Sequence, residues 1–293
     1  MIEAKRHFSV STAPSGLMGT PRTWSDVWGF LKDDPNFAGF EMIGWDFLWQ
    51  RCHLLLAQAR KSGCNVIGIH GRIGKQESPR LIDQFRVGLI NRIVVPTTKI
   101  IQFANNAEYL LVHGSELHPQ KNRNAVLSLS NFPTTTLFIE NDMIPGALGE
   151  TVDLCCQLRN NNVKAGVMFD LHHFLGQLDE DVNYAEKWKT TLNALSWLIN
   201  SRDFEGEEFP IGIHVDLGEV EEDSLKQNHK TKDLWEDLAF ILVTHPDVRI
   251  VIEDELPLKD QLFLSLKARK ALRERCQAKI AFLQEYQVLP KIT

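Results

Sequence analysis

What the chain lacks narrows it first. No stretch approaches the roughly 18 consecutive apolar residues of a membrane span, and the opening Met-Ile-Glu-Ala-Lys-Arg-His has none of the apolar core of a secretory signal. The expectation is a cytoplasmic protein with no membrane partner. Cysteine is scarce: the 5 cysteines are odd in number and none stands in a Cys-x-x-Cys pair, which argues against a disulfide framework and fits free thiols in a reducing compartment. Cys155 and Cys156 adjoin, but in Thr-Val-Asp-Leu-Cys-Cys-Gln-Leu, a segment of helical spacing where cysteine acts as a small hydrophobe. Positive charge is also in short supply. With 32 Lys and Arg against 38 Asp and Glu the net charge is -6 and the pI about 5.9. The molecule's overall field therefore does not attract polyanions, and a nucleic-acid enzyme would need its positive potential confined to one face. There is no low-complexity segment, and no repeat beyond an alternation of strand and helix patterns.

The hydrophobic content of 43% and charged content of 24% are those of an ordinary soluble globular protein. At 293 residues the chain has room for one (β/α)8 barrel, which typically takes roughly 250, so residues 1–293 are read as a single domain. Eight strand candidates follow in order: His7–Ser11, Gly39–Ile43, Asn65–His70, Tyr109–His113, Thr135–Glu140, Ala165–Asp170, Ile211–Asp216 and Val248–Glu253. They read as continuous apolar runs, as parallel strands covered outside and packed within do. Between them lie amphipathic segments of helix length: Phe47–Ser62, Pro79–Pro96, Thr151–Asn160, Tyr184–Asn200 and Lys232–Thr244. A last charged amphipathic stretch at about 259–286, with Lys267, Arg269, Lys270 and Arg273 interleaved with acids, is read as a solvated closing helix. Strand followed by helix, eight times, predicts an α/β fold of the TIM-barrel type.

Metal-binding side chains sit at the ends of these strands. Glu140, Asp170, His214 and Glu253 each close a short run of β-branched and apolar residues, and His70 and His113 end the third and fourth strands. Barrel enzymes place their active sites at that end. Clustered acids would repel one another there, and a divalent cation resolves the conflict. Three carboxylates and an imidazole suit Mn, Zn or Mg. Loop amides satisfying each carboxylate separately are the alternative.

In order and strand position, His70-Gly, His113-Gly-Ser, Ile-Glu140-Asn141, Phe-Asp170-Leu-His172-His173, His214-Val-Asp216 and Ile-Glu253 resemble the xylose isomerase-like TIM barrels. The resemblance runs from Phe8 to about Leu258. That group includes sugar and sugar-phosphate isomerases or epimerases and endonucleases of the endonuclease IV type. In the isomerase branch the resemblance implies that Glu140, Asp170, His214 and Glu253 hold one ion, with Glu140 and Glu253 also acting as acid and base through an enediolate. In the nuclease branch it implies three ions, drawing in His70, His113, His173 and, from Gln227-Asn228-His229, His229. Gln227 stands where that branch has an aspartate, and an amide is a poor ligand. The loop Gly71-Arg72-Ile73-Gly74-Lys75 has no aromatic wedge. Arg72 and Lys75 are either phosphate contacts or part of a solvated turn. Trp45 and Trp49 are either an apolar wall for a sugar or helix packing, and Glu41 is a candidate substrate contact.

The first expectation is thus a divalent-metal isomerase or epimerase of a small ketose or sugar phosphate. An apurinic-site endonuclease with a nucleic-acid partner is the alternative, and a non-catalytic, metal-retaining binding protein a further one.

Overall fold

Parallel pairing joins every strand of the barrel to the next in sequence, and the first to the last. The computed structural model describes residues 8–11, 26–43, 61, 65–70, 107–131, 134–179, 181–204, 207–215, 229–254 and 265–289. Its barrel strands are β1 (Phe8–Ser11), β2 (Phe37–Ile43), β3 (Val66–His70), β4 (Tyr109–His113), β5 (Thr136–Glu140), β6 (Ala165–Asp170), β7 (Ile211–Val215) and β8 (Arg249–Ile252). Their order around the closed barrel is their order in the chain, and β1 closes it by pairing with both β2 and β8. This is a (β/α)8 barrel, as the strand and helix patterns predict.

The described helices are α1 (Gln120–Leu127), α2 (Ala147–Arg159), the single-turn-scale α3 (Leu171–Gly176), α4 (Tyr184–Asn200), α5 (His229–Thr244) and the closing α6 (Leu266–Glu285). The predicted helix Pro79–Pro96 lies outside the described residues, as does Phe47–Ser62 apart from Lys61. No described helix is long and apolar enough to cross a membrane. A small antiparallel hairpin, Asp203–Phe204 with Glu207–Glu208, is an element that the apolar patterns did not announce. Arg202 anchors its base through Asp247 and Glu208.

Local chemistry sets the ends of these helices. Asn183 caps α4 by accepting from the Glu186 amide, and Ser265 caps α6 by accepting from that of Ala268. After α2 the chain stops at Asn162 in the left-handed region (φ 60), which asparagine tolerates better than most residues. The Asn160-Asn161-Asn162 run therefore ends a helix by geometry as well as by polarity. Cys155 is buried on α2 within the main apolar cluster, and burial pushes its thiol up to about 12, far from a metal-binding thiolate.

The strands carry two rows of side chains. Leu110 and Val112, Leu137 and Ile139, Val167 and Phe169, Ile213 and Val215, and Ile250 and Ile252 point outward into the large cluster shared with the helices. The alternate residues Tyr109, Leu111, Phe138, Met168 and Val251 form a separate cluster inside the barrel. Two residues further along the inward row of each strand come the polar groups: His113 after Leu111, Glu140 after Phe138, Asp170 after Met168, Glu253 after Val251. The packed interior is thus the base on which the polar mouth stands. Glycines leave space for the inward ring layers. A Cβ on Gly68 would stand 2.0 Å from Cζ of Tyr109 and one on Gly212 would stand 2.6 Å from Sδ of Met168.

Candidate metal centre at the barrel mouth

Asp170 occupies two structural roles at once. It ends β6 and caps α3, its Oδ1 accepting from the His173 amide at 2.7 Å, so its Oδ2 is left to face His214 Nδ1 at 3.4 Å. The cap explains the Asp-x-x-His spacing, since residues three apart on the first turn meet on one face. His173 is then steadied by the Asn141 carbonyl, 2.9 Å from its Nδ1. Fully buried Asn141 ties β5 to β6, accepting from the Asp170 amide at 2.8 Å and donating to the Asp170 carbonyl at 3.2 Å. The Glu140-Asn141 pair therefore supplies one buried carboxylate and one strut.

The strand register brings the remaining donors together. His113 lies level with Glu140, and Asp170 with His214. Glu140 is completely buried and its two oxygens face different partners. Oε2 lies 3.1 Å from His70 Nε2 and 3.4 Å from His113 Nε2. Oε1 lies 2.7 Å from His214 Nδ1, and that nitrogen also stands 3.1 Å from Glu253 Oε2. Two imidazoles thus occupy one side of Glu140, and an imidazole with two carboxylates the other. Ser11 donates to Glu253 Oε1 at 3.3 Å, and Lys279 of α6 donates to the Glu253 carbonyl at 2.7 Å and to Asp254 at 3.0 Å. The closing helix therefore holds the strand end that carries Glu253.

Glu41, halfway along β2, is wholly buried. It accepts from the Tyr109 hydroxyl at 2.8 Å and faces His214 Nε2 at 3.2 Å and His70 Nδ1 at 3.5 Å. As one acid interrupting an apolar strand, it reads in the sequence as a candidate substrate contact. Its neighbours are the backs of two candidate ligands, a relation that only the closed barrel creates.

Six titratable side chains in this pocket, Glu41, His70, Glu140, His173, His214 and Glu253, have displaced proton equilibria. Burial disfavours the charged imidazole of His70, yet Glu140 and Glu41 beside it raise it to about 10. His173 is raised to about 9 against the same burial by Asp170, Glu140 and the Asn141 carbonyl, and His214 is driven well above its usual range by Glu41, Glu140 and Glu253. On the acid side, burial opposes ionisation of Glu41, but His214 and His70 hold it down at about 2. Glu140, likewise buried, is held well below the carboxylate range by His70, His113 and His214. Glu253 goes the other way, to about 8, because burial and the charges of Glu41 and Asp170 outweigh His214 and His70. Without a cation, protons on the histidines neutralise the acids.

The donor set fits divalent cations. Both Glu140 oxygens and His214 Nδ1 are buried with no hydrogen-bond partner; their neighbours stand at ionic range without the alignment a hydrogen bond needs. Ligands about 2.0–2.2 Å from a common ion lie about 3.0–3.5 Å apart, which matches most of the separations around Glu140. Three overlapping groups of donors meet this closeness: His70, His113 and Glu140; Glu140, Asp170 and His173; and Glu41, His70, His214 and Glu253. The structure thus gathers Glu140, Asp170, His214, Glu253, His70, His113 and His173 at one mouth. Trp45, Trp49, Arg72, Lys75 and Gln227 lie outside the described residues, and so does the side chain of His229, the first residue of α5.

No family model matches this chain, and no curated protein matches it. Solved structures similar to it include protein SMc04130 from Sinorhizobium meliloti 1021, with 13% identity, 92% of this chain and 97% of that one covered, and a TM-score of 0.48. Another is PbGH5A, a glycoside hydrolase family 5 enzyme from Prevotella bryantii B14, with 13% identity, 95% of each chain covered and a TM-score of 0.46. The carboxyl transferase domain of Rhizobium etli pyruvate carboxylase has 12% identity over 98% of this chain and 48% of that one, with a TM-score of 0.49. None of these three is described as a sugar isomerase or a nuclease. At such identities they say nothing of activity, and the barrel rests on its own strand order.

Proposed function

We propose that this chain is a metal-dependent phosphoester hydrolase whose barrel mouth takes two divalent cations on either side of Glu140. The observation that carries this reading is the division of the Glu140 carboxylate, Oε2 toward His70 and His113 and Oε1 toward His214. With its two oxygens turned to two donor sets, Glu140 would be shared by two cations, one held with each set. His70 and His113 would hold one ion with Glu140; Asp170, His214 and Glu253 would hold the other with it. Such a pair activates a water and neutralises the charge on a transferring phosphoryl group. Arg72 and Lys75 follow β3 in the chain and are the expected phosphate contacts. The net charge of -6 favours a small phosphoester over a nucleic-acid duplex.

A second reading, the isomerase or epimerase, is favoured by a different observation: Glu140 and Glu253 meet at the same nitrogen of His214, at 2.7 and 3.1 Å, and so line one cavity as an acid and base pair would.

The test is an ion count followed by two assays. Protein stripped with chelator and reloaded with Zn2+ or Mn2+ is expected to hold two ions and to cleave an aryl phosphodiester or a small phosphomonoester. One ion, with solvent deuterium entering alpha to a ketose carbonyl and no phosphoester cleavage, would replace this reading by the second. Binding of no ion would end both.

A further inference from the structure

Glu41 lies outside the ligand set just assigned, and its surroundings give it a definite task. Its carboxylate is wholly buried, with the Tyr109 hydroxyl on Oε2 at 2.8 Å. The two imidazoles it faces belong to different sides of Glu140. His214 turns Nε2 to Glu41 at 3.2 Å and Nδ1 to Glu140, Asp170 and Glu253. His70 turns Nδ1 to Glu41 at 3.5 Å and Nε2 to Glu140. Each ring thus offers one nitrogen to Glu41 and its other nitrogen to the pocket above. An imidazole binds a cation through one nitrogen only when its proton sits on the other, and a carboxylate behind the ring fixes that proton and turns the ring.

We infer that Glu41 is a positioning residue shared by both cation sites: it holds His214 as an Nδ1 ligand and His70 as an Nε2 ligand, with Tyr109 fixing Glu41 in turn. Two other roles were open to this acid. As a direct ligand it would compete with its own histidines, because the His214 nitrogen facing Glu41 is not the one facing Glu140, Asp170 and Glu253. As a substrate contact it would need access, and its side chain is fully covered. The layer beneath supports the positioning role. Gly68 has no side chain where the Tyr109 ring passes, a Cβ there standing 2.0 Å from Cζ and 2.3 Å from the hydroxyl, so the ring reaches from β4 across β3 toward β2. Arg249 lies over the face of the same ring at 4.8 Å and holds it from the β8 side. One buried carboxylate, locked from below, thereby ties the two ion sites together.

This inference rests on the two-ion reading, and the experiment separates the two. Wild type, Glu41→Gln and Tyr109→Phe are stripped of metal and titrated with Zn2+ against a chromophoric chelator, and the imidazole count around the ion is read by X-ray absorption. In Glu41→Gln the affinity of both sites is expected to fall by about 10- to 100-fold, the loss typical of an outer partner, while two ions still bind at saturation with the same imidazole count. Tyr109→Phe keeps the carboxylate and is expected to move both affinities the same way by less than about 10-fold; it carries the test should the first variant fail to fold. Unchanged affinity at both sites in the variants, with two ions in wild type, overturns this inference alone. So does outright loss of one ion with an altered ligand shell in Glu41→Gln, which would make Glu41 a ligand, or a raised KM with ion binding intact, which would make it a substrate contact. Wild type that takes up no Zn2+ overturns the two-ion reading itself.

Discussion

The lower and upper halves of the barrel's inward row are built on the same strands and do opposite things. Below, Tyr109, Leu111, Phe138, Met168 and Val251 interlock, with Tyr109 and Phe138 meeting edge to face at a centroid distance of 5.5 Å. Such packing stabilises through apolar burial and dispersion. Above, on the next inward positions, His113, Glu140, Asp170 and Glu253 crowd together in a pocket where Glu140 and His214 are wholly buried. Burying charges costs several kcal/mol per ion unless partners are well placed. The lower half is therefore the stabilising support, and the upper half is a crowd of acids and imidazoles that offset one another's charge. A binding site is most effective when its ligands are held by a rigid layer, and here that layer is two residues away along each strand.

Three perturbations should break or sharpen this contrast. The largest falls on the lower half. Phe138→Ala leaves a hole in the inner cluster and is expected to lower stability by about 3–5 kcal/mol, read by chemical denaturation, while folded protein still saturates with the same number of ions. A change in ion stoichiometry would mean that the two halves are not separable.

Next is the bridge itself. Glu140→Gln keeps the shape and removes the charge that both donor sets share, so saturating Zn2+ is expected to fall from two ions to at most one. Phosphoester cleavage should drop by more than the about 10- to 100-fold expected of an outer partner. Retention of both ions would remove Glu140 from its bridging place and with it the main support for a hydrolase.

The smallest effect, and the most discriminating, is on pH. In the metal-free protein His70 titrates near 10 and His173 near 9, against an ordinary value of 6.5. The folded state holds these protons more tightly than the unfolded chain, so their contribution is complete below pH 6.5 and is lost as pH rises through 9 to 10. Glu253, raised from 4.5 to about 8, loses its contribution in the same sense between those values. Metal-free protein should therefore lose Tm as pH rises from 6.5 to 9.5. Saturating Zn2+ should reverse the trend, because the ions take the places that the protons leave. Scanning calorimetry with and without chelator checks both limbs, and parallel curves would mean that the mouth does not exchange protons for metal.

Much of this was legible in the chain. β4 and β6 were bounded to the residue, and the others to within a few, because parallel strands buried on both faces are apolar throughout and stop abruptly at a polar group. That stop is also why Glu140, Asp170, His70 and His113 could be picked out: a carboxylate or imidazole ending an apolar run is conspicuous. The α4 boundaries followed from a helix-length pattern over Tyr184–Asn200. The hairpin after α4 was not legible, since two residues per strand carry no period and its anchor is Arg202 pairing with Asp247, 45 positions on. Nor was the role of Glu41. A single acid within a strand reads the same whether it faces substrate, solvent or the back of a histidine.

The sequence alone thus determined the barrel and the presence of acids and imidazoles of metal-ligating type at one end of it, since both follow from patterns with a period of a strand or of a strand and helix. It also marked the end of α2 at the polar Asn160-Asn161-Asn162 run. Only the tertiary structure decided how the donors are shared. The two sides of Glu140, the turning of His70 and His214 toward Glu41, and the hold of Lys279 on the strand end at Glu253 all join residues from separate strands or helices. Barrel closure fixes those distances, because it sets every strand's register against its neighbours, and no local pattern contains that information.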